Sequence, residues 1–244
     1  MFVSNDSNQM LKAYLEQMQI ETTDDQRHLL LKHLDLVVEK NKVMNLTRIT
    51  DEREALIRHI VDSLLILHTI NKAGLTPDAR FVDIGTGAGF PGVPLAVVTG
   101  SKGLLIDSVG KKVAAVNEFI DALDLTGTIR AEHIRAEELA KRQPYSFDIV
   151  TARAVADLGV LIEYATPLLK KGGSLVVSKA KIADEEMTRG IETGKITGMT
   201  YVSRETYELP EGEGHREILR FDKKNKSKVK LPRNTGMALH KPLV

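Results

Sequence analysis

The stretch R-F-V-D-I-G-T-G-A-G-F-P-G, residues 80 to 92, constrains this 244-residue chain more than any other. Residues 80–84 read as a short apolar strand, and Gly85, Gly87 and Gly89 follow at alternate positions. Glycines set this closely serve where a backbone takes positive φ or must lie against a ligand. A glycine turn leaving a parallel strand sits at the carboxyl end of a doubly wound sheet, where such sheets bind their ligands. The dinucleotide fingerprint G-x-G-x-x-G places its third glycine one residue beyond Gly89, and the phosphate loop closes on Gly-Lys-Ser/Thr, which is missing here. Asp83 stands two residues before the first glycine. A carboxylate there opposes a phosphate and suits a ligand with a cationic ammonium.

The rest of the chain supplies the sheet. Apolar spacing of three and four predicts helices over 7–20 and 24–40, the second capped by Thr23 or Asp24, and a third over 51–70 with acids in its first turn. GLTP (74–77) then breaks the pattern. From residue 80, strands at 80–84, 103–107, 128–133, 147–153 and 174–180 alternate with helices at 93–98, 111–123, 136–142, 157–169 and 183–195. That alternation indicates βαβ units and a parallel sheet. Residues 199–209 and 215–223 form an antiparallel hairpin at its edge. The expected fold is α/β: a doubly wound, mostly parallel sheet with a C-terminal hairpin. Its expected parts are an N-terminal helical extension (1–70), a ligand-binding domain (71–222) and a basic tail (223–244).

S-adenosylmethionine answers the mismatch at the glycine turn, because it carries an adenosine, an α-ammonium and a sulfonium but no phosphate. Asp83, Gly85, Thr86, Gly87 and Gly89 would line it. Asp107, followed by Ser108, ends the second strand, where an acid can accept both ribose hydroxyls. Ala136 and Glu137, after the third strand, can meet the adenine edge. With no cysteine in the chain, disulfides and thiolate metal sites are excluded, and the histidines lack metal-ligand spacing, so no metal is expected. Apolar runs are too short to span a bilayer, and the first residues lack a basic segment followed by an apolar one, so a cytoplasmic protein without a signal peptide is expected.

VDIGTGAGFPGVPLA, with MNLT and RHIVDSL before it and DSVGKK, TARAVADL and PRNTGMALHKPL after it, resembles the bacterial 16S ribosomal RNA guanine-N7 methyltransferases, the small-subunit methyltransferase G family, also called glucose-inhibited division protein B. The resemblance runs from about residue 40 to the C-terminus. It implies a Rossmann-like class I methyltransferase that uses S-adenosylmethionine on N7 of one guanine in the decoding-region hairpin of 16S rRNA. It implies cofactor contacts from Gly85, Phe90, Ala136 with Glu137, and Arg153. The partner it implies is 16S rRNA or the small ribosomal subunit, and the chain is expected to be a monomer.

The residues agree with that chemistry. Covalent methylation of pyrimidine C5 needs a cysteine, and the amine-methylating Asn/Asp-Pro-Pro-aromatic turn is missing after the fourth strand, where the chain reads TARAVADL. Guanine N7 has a free lone pair and no proton to lose, so alignment suffices and no catalytic residue is assigned. Arg153 beside a sulfonium is unfavourable; it suits the cofactor's carboxylate, guanine O6 or RNA phosphate, or forms a structural ion pair. Arg58 and Asp62, four apart, pair along their helix or face the cofactor's mouth together with Asn45 and Thr47. His59 reads as a residue packed or capped locally. Lys179 is an RNA contact or a strand-end charge. Residues 223–244 carry seven Lys or Arg and no acid, against 27 basic and 33 acidic residues before them. That run is either a solvated tail or a polyanion contact, with Arg233 and Lys241 its candidate RNA ligands. Alternatives remain: the same fold acting on another RNA site or a protein, or a non-catalytic RNA-binding protein.

Overall fold

The computed structural model describes residues 3–49, 51–73, 76, 78–153 and 156–244. The break at GLTP and the Ala154–Val155 part of the turn after the fourth strand fall mostly or wholly outside them. Seven strands form one sheet in the order β3-β2-β1-β4-β5-β7-β6. The strands are β1 (Arg80–Ile84), β2 (Lys102–Asp107), β3 (Ile129–His133), β4 (Phe147–Arg153), β5 (Leu169–Lys179), β6 (Met199–Glu208) and β7 (His215–Lys223). The first five run parallel; β7 lies antiparallel between β5 and β6. The order reverses between β1 and β4, which places a ligand crevice at the carboxyl ends of those strands.

Alternation along the strands feeds two cores. Phe81, Leu105, Ile149, Val176 and Ile218 face one side; Val82, Leu104, Val150, Val177 and Leu219 face the other. On the first side lie α1 (Asn5–Gln17), α2 (Asp24–Asn41), α6 (Gly92–Thr99) and α7 (Gly110–Ala122). On the second lie α8 (Ala136–Arg142), α9 (Leu158–Ala165), α10 (Asp184–Thr197) and α11 (Met237–His240). Thr23 caps α2 through a reciprocal box with Gln26. The N-terminal helices therefore share one apolar core with the sheet.

Three elements depart from expectation. The helix expected over 51–70 is interrupted: α3 (Glu52–Ala55) runs into a π-helical segment, Leu56–Val61, then α4 (Asp62–Leu64) and α5 (Ile66–Lys72). The helix expected to reach 169 ends at Ala165, since Pro167 has no N–H to continue it, and Leu169 already opens β5. The segment after β7 is folded, so a frayed tail does not describe it. The N–H groups of Lys224 and Asn225 donate to Gly198 O, and that of Lys228 donates to Ile196 O. The chain then crosses to α9, where Arg233 meets Glu163 and Ala238 is buried.

Candidate active site at the carboxyl ends of the strands

The turn after β1 is a tight loop because three of its residues are glycines in the left-handed region. Gly85, Gly87 and Gly89 have φ of 72°, 61° and 95°. Gly85 and Thr86 donate their N–H groups to Ile106 O on β2, and Gly87 donates to Asp107 Oδ2. The loop borders a cavity of about 360 Å³, walled by Gly85–Ala88, Phe90, His59, Asp62, Arg153 and Arg216. Thr86 is buried at the loop, its hydroxyl turned toward the Asp83 carboxylate beneath. A Cβ added at Gly87 would meet nothing nearer than Gly85 O at 4.0 Å, so the glycine leaves open space beside the loop. Open space against a glycine backbone is where a ligand can approach the chain closely.

Asp83 is placed differently from the expectation of an ammonium ligand. It is wholly buried beneath the loop: Oδ2 accepts from Gly92 N–H at 3.1 Å, and Oδ1 accepts from the Thr151 hydroxyl at 3.3 Å. Burial pushes its carboxyl up to about 6, against the Thr86 hydroxyl, these two donors and Arg153, which favour the anion. Asp83 shapes the loop from below and does not line the cavity. Asp107 also holds backbone, accepting from Gly87 N–H and Val109 N–H, one bond on each oxygen. Each oxygen keeps lone-pair capacity for a hydroxyl donor. Ser108 contributes its carbonyl to His133 Nε2.

The far wall is ionic. Arg153 donates to Arg58 O at 2.7 Å and to Asp62 Oδ2 at 3.1 Å, while Arg216 Nε reaches Asp62 Oδ1 at 2.9 Å. One carboxylate between two guanidiniums leaves a net positive charge at the cavity wall, suited to a ligand carboxylate. The expected Arg58–Asp62 pair is not formed, because the intervening π turn changes the angular spacing; Arg58 binds Glu54 and Glu213 instead. Phe90 is held between His33 and His59, with ring centroids at 4.6 and 4.7 Å, and Arg153 lies 5.5 Å from its centroid. His59 is anchored by Thr47 Oγ1 at 2.9 Å, and burial, then Arg153, lowers its pKa to about 3, so the ring is neutral.

The structure thus brings Gly85, Thr86, Gly87, Phe90, Arg153 and Lys179 around one cavity; Gly89, packed against His33, and Asp107 with Ser108 lie outside its lining. Lys179 forms an ion pair with Glu186. Ala136 and Glu137 open α8 at the same end of the sheet but do not line the cavity; Glu137 Oε1 accepts from Gly236 N–H at 2.7 Å. Arg233 makes a two-pronged ion pair with Glu163, and Lys241 lies exposed near the C-terminus. Arg216 was missing from the sequence reading. Its partner Asp62 is remote in the chain, and only the antiparallel insertion of β7 beside β5 joins them.

Solved structures share the architecture. The [4+2]-cyclase SpnF aligns with TM-score 0.58 and 14% identity over 82% of this chain and 97% of its own. Precorrin-6y C5,15-methyltransferase from Geobacter metallireducens aligns with TM-score 0.51 and 15% identity over 75% and 92%. Closer relatives appear by sequence. The ribosomal RNA small subunit methyltransferase G of Desulfitobacterium hafniense (strain Y51) is 37% identical over 94% of both chains. That of Staphylococcus epidermidis (strain ATCC 35984) is 37% identical over 98% of this chain and 99% of its own. The family model GidB, rRNA small subunit methyltransferase G, matches residues 26–210. The glycine loop, the sheet order and a match along nearly the whole length agree: the chain belongs to the rRNA small subunit methyltransferase G family.

Proposed function

We propose that this rRNA methyltransferase binds S-adenosylmethionine across the Gly85–Phe90 loop and Asp107, and methylates N7 of one guanine in the decoding-region hairpin of 16S rRNA. One observation carries the cofactor assignment: a positive-φ glycine loop borders a cavity whose opposite wall is net positive. The donor set fits the ligand's parts. Asp107 suits the ribose hydroxyls, the Arg153–Asp62–Arg216 cluster suits the methionine carboxylate, and Ala136 with Glu137 lies at the next strand end for adenine. Arg153 then serves the carboxylate, away from the sulfonium. Lys179 stands at the cavity's edge as an RNA contact.

When bound, S-adenosylmethionine supplies a methyl group on a cationic sulfur. The protein's own residues orient and enclose. Phe90, fixed between two neutral imidazoles, gives the cavity a rigid apolar floor that excludes water. Guanine N7 brings a free lone pair, so no group has to accept a proton, and alignment is the principal effect. The test is to incubate the protein with 16S rRNA and methyl-labelled S-adenosylmethionine, then cleave the RNA by borohydride and aniline, which break the chain at N7-methylguanosine. One cleavage in the decoding-region hairpin is expected. Label incorporated without that cleavage, or label in protein, would overturn the assignment.

A further inference from the structure

At the opposite end of the sheet, where the parallel strands begin, lies a larger cavity of about 870 Å³ between Tyr145 and the segment after β7. Lys171, Lys223, Lys224, Lys226 and Lys230 line it. Lys224 pairs with Asp222 at 3.0 Å; among the described residues the other four form no ion pair. Lys223 is 7% exposed, and its ammonium donates to Thr166 O and Leu169 O at 2.7 Å each. A buried ammonium held by carbonyls and no carboxylate leaves an uncompensated charge. The same Nζ stands 3.9 Å from the centroid of Tyr145.

Tyr145 has the form of a stacking platform. One ring face rests on the Lys223 ammonium, yet the residue is 58% exposed, more than any other Tyr or Phe among the described residues. Its φ is 52°, a left-handed backbone that non-glycine residues seldom take, and its N–H is held by Pro167 O at 2.9 Å. A large aromatic ring kept outward on a costly backbone, ringed by unpaired lysines, is poorly explained by folding alone. Aromatic faces that take bases, beside lysines that track phosphates, are how proteins hold single-stranded nucleic acid.

We propose that this cavity is a second RNA site, which takes an unpaired stretch of the substrate RNA with one base stacked on the free face of Tyr145 and phosphates on Lys171, Lys226 and Lys230. The inference rests on the reading of RNA as substrate. The two ends of the sheet are separated by the length of β5 from Ser174 to Lys179, roughly 17 Å at about 3.3 Å per residue. One RNA molecule would thus span the edge of the sheet, its target guanine at one end and an unpaired flank at the other. The body before residue 223 carries more acid than base, so these lysines supply attraction that the rest of the surface does not.

The test measures binding of a labelled 15-nucleotide single-stranded RNA, and of a 16S fragment containing the decoding hairpin with its unpaired flanks, by anisotropy at several salt concentrations. Tyr145→Ala should weaken both by roughly 5- to 160-fold, from the ~1–3 kcal/mol of one base stack; Tyr145→Trp should retain affinity. Lys226→Ala with Lys230→Ala should lower the log–log salt slope by about 1.4, from ~0.7 for each phosphate on a single strand. S-adenosylmethionine affinity, measured by calorimetry, should be unchanged in all three, which also shows that they fold. Wild-type affinity and salt slope in Tyr145→Ala and the lysine variant would overturn this site alone. Adenosine monophosphate competing as strongly as the oligonucleotide would replace RNA with a free nucleotide and overturn it too. Failure of wild-type protein to bind either RNA would overturn the substrate reading beneath it.

Discussion

Gly87 has φ of 61° with open space where a Cβ would stand, so a substitution there acts on the backbone and on the ligand's volume, without a clash inside the protein. Left-handed backbone costs an L-residue about 1–2 kcal/mol. Gly87→Val should keep the fold and weaken S-adenosylmethionine binding about tenfold or more, since ~1.4 kcal/mol is a factor of ten. Calorimetric affinity equal to wild type, in a variant with a normal melting transition, would remove this loop from the cofactor site. Below the loop, three buried groups make stability depend on pH with opposite signs. Burial lowers His33 to about 4 and His59 to about 3, so the unfolded chain takes up their protons first. Each contributes stability that is present above about pH 6.5 and lost as pH falls toward the folded value. Asp83, raised to about 6, acts the other way: the folded state holds its proton better, so acidification from pH 7 to 5 adds stability. On these values each histidine loses about 2 kcal/mol between pH 7 and 5, and Asp83 returns about 1. Net acid lability is therefore expected. His59→Phe, which keeps a ring against Phe90, should shrink the pH 7-to-5 loss in urea unfolding by about 2 kcal/mol.

The carboxyl-terminal segment shows how an element can be mistaken from sequence. Seven basic residues without an acid look like a solvated arm, yet Arg233 bridges Glu163, whose side chain is 5% exposed, and Gly236 N–H caps the buried Glu137. Removing one partner of a buried pair costs about 3–5 kcal/mol, because the other charge stays buried. Arg233→Met should thus lower the melting temperature by several degrees, at about 2–4 °C per kcal/mol for a chain of this size. Lys241→Ala, at an exposed position, should change stability by no more than about 0.5 kcal/mol. Comparable shifts in the two variants would refute the distinction. Strands β1 and β4, the glycine turn and the capped α2 were legible because each is specified by local spacing: apolar residues in short runs, glycines at alternate positions, Thr23 or Asp24 just ahead of a helix-periodic run. The π turn was not, since apolar spacing over 56–66 reads equally well as α-helix. Asp62's partners were hidden for another reason: both arginines come from strands remote in sequence, and only the sheet order brings them together. Asp83 was expected to face a ligand and lies buried beneath the loop instead, because a carboxylate's direction depends on what lies there.

Across the whole molecule, the four groups displaced toward the neutral range or made neutral by burial, His33, His59, Asp83 and Lys223, sort by their place relative to the cavity. His59 lines it and is neutral well above its lowered pKa; His33 lies beneath, lowered to about 4 by burial; Asp83, near 6, is sealed from the cavity. Lys223, lowered by burial to about 8, stands at the other end of the sheet. None of these groups both faces the reacting atoms and changes charge between pH 6.5 and 8.5. The reaction itself asks for none, since N7 enters with its lone pair free and leaves methylated with no proton to discard. General acid–base catalysis would appear as a limb in the pH–rate profile. The rate constant for methyl transfer in a single turnover, with RNA and S-adenosylmethionine saturating, should therefore be flat from about pH 6.5 to 8.5. Saturation matters, because Lys223, lowered by burial to about 8, titrates beneath the proposed second RNA site, and an undersaturated assay would mix the two. A steep limb within that range that vanishes on replacing one carboxylate or histidine at the cavity would show that a side chain moves a proton in the rate-limiting step. That result would contradict catalysis by alignment and would point to a substrate atom that loses a proton, such as an exocyclic amine, in place of N7.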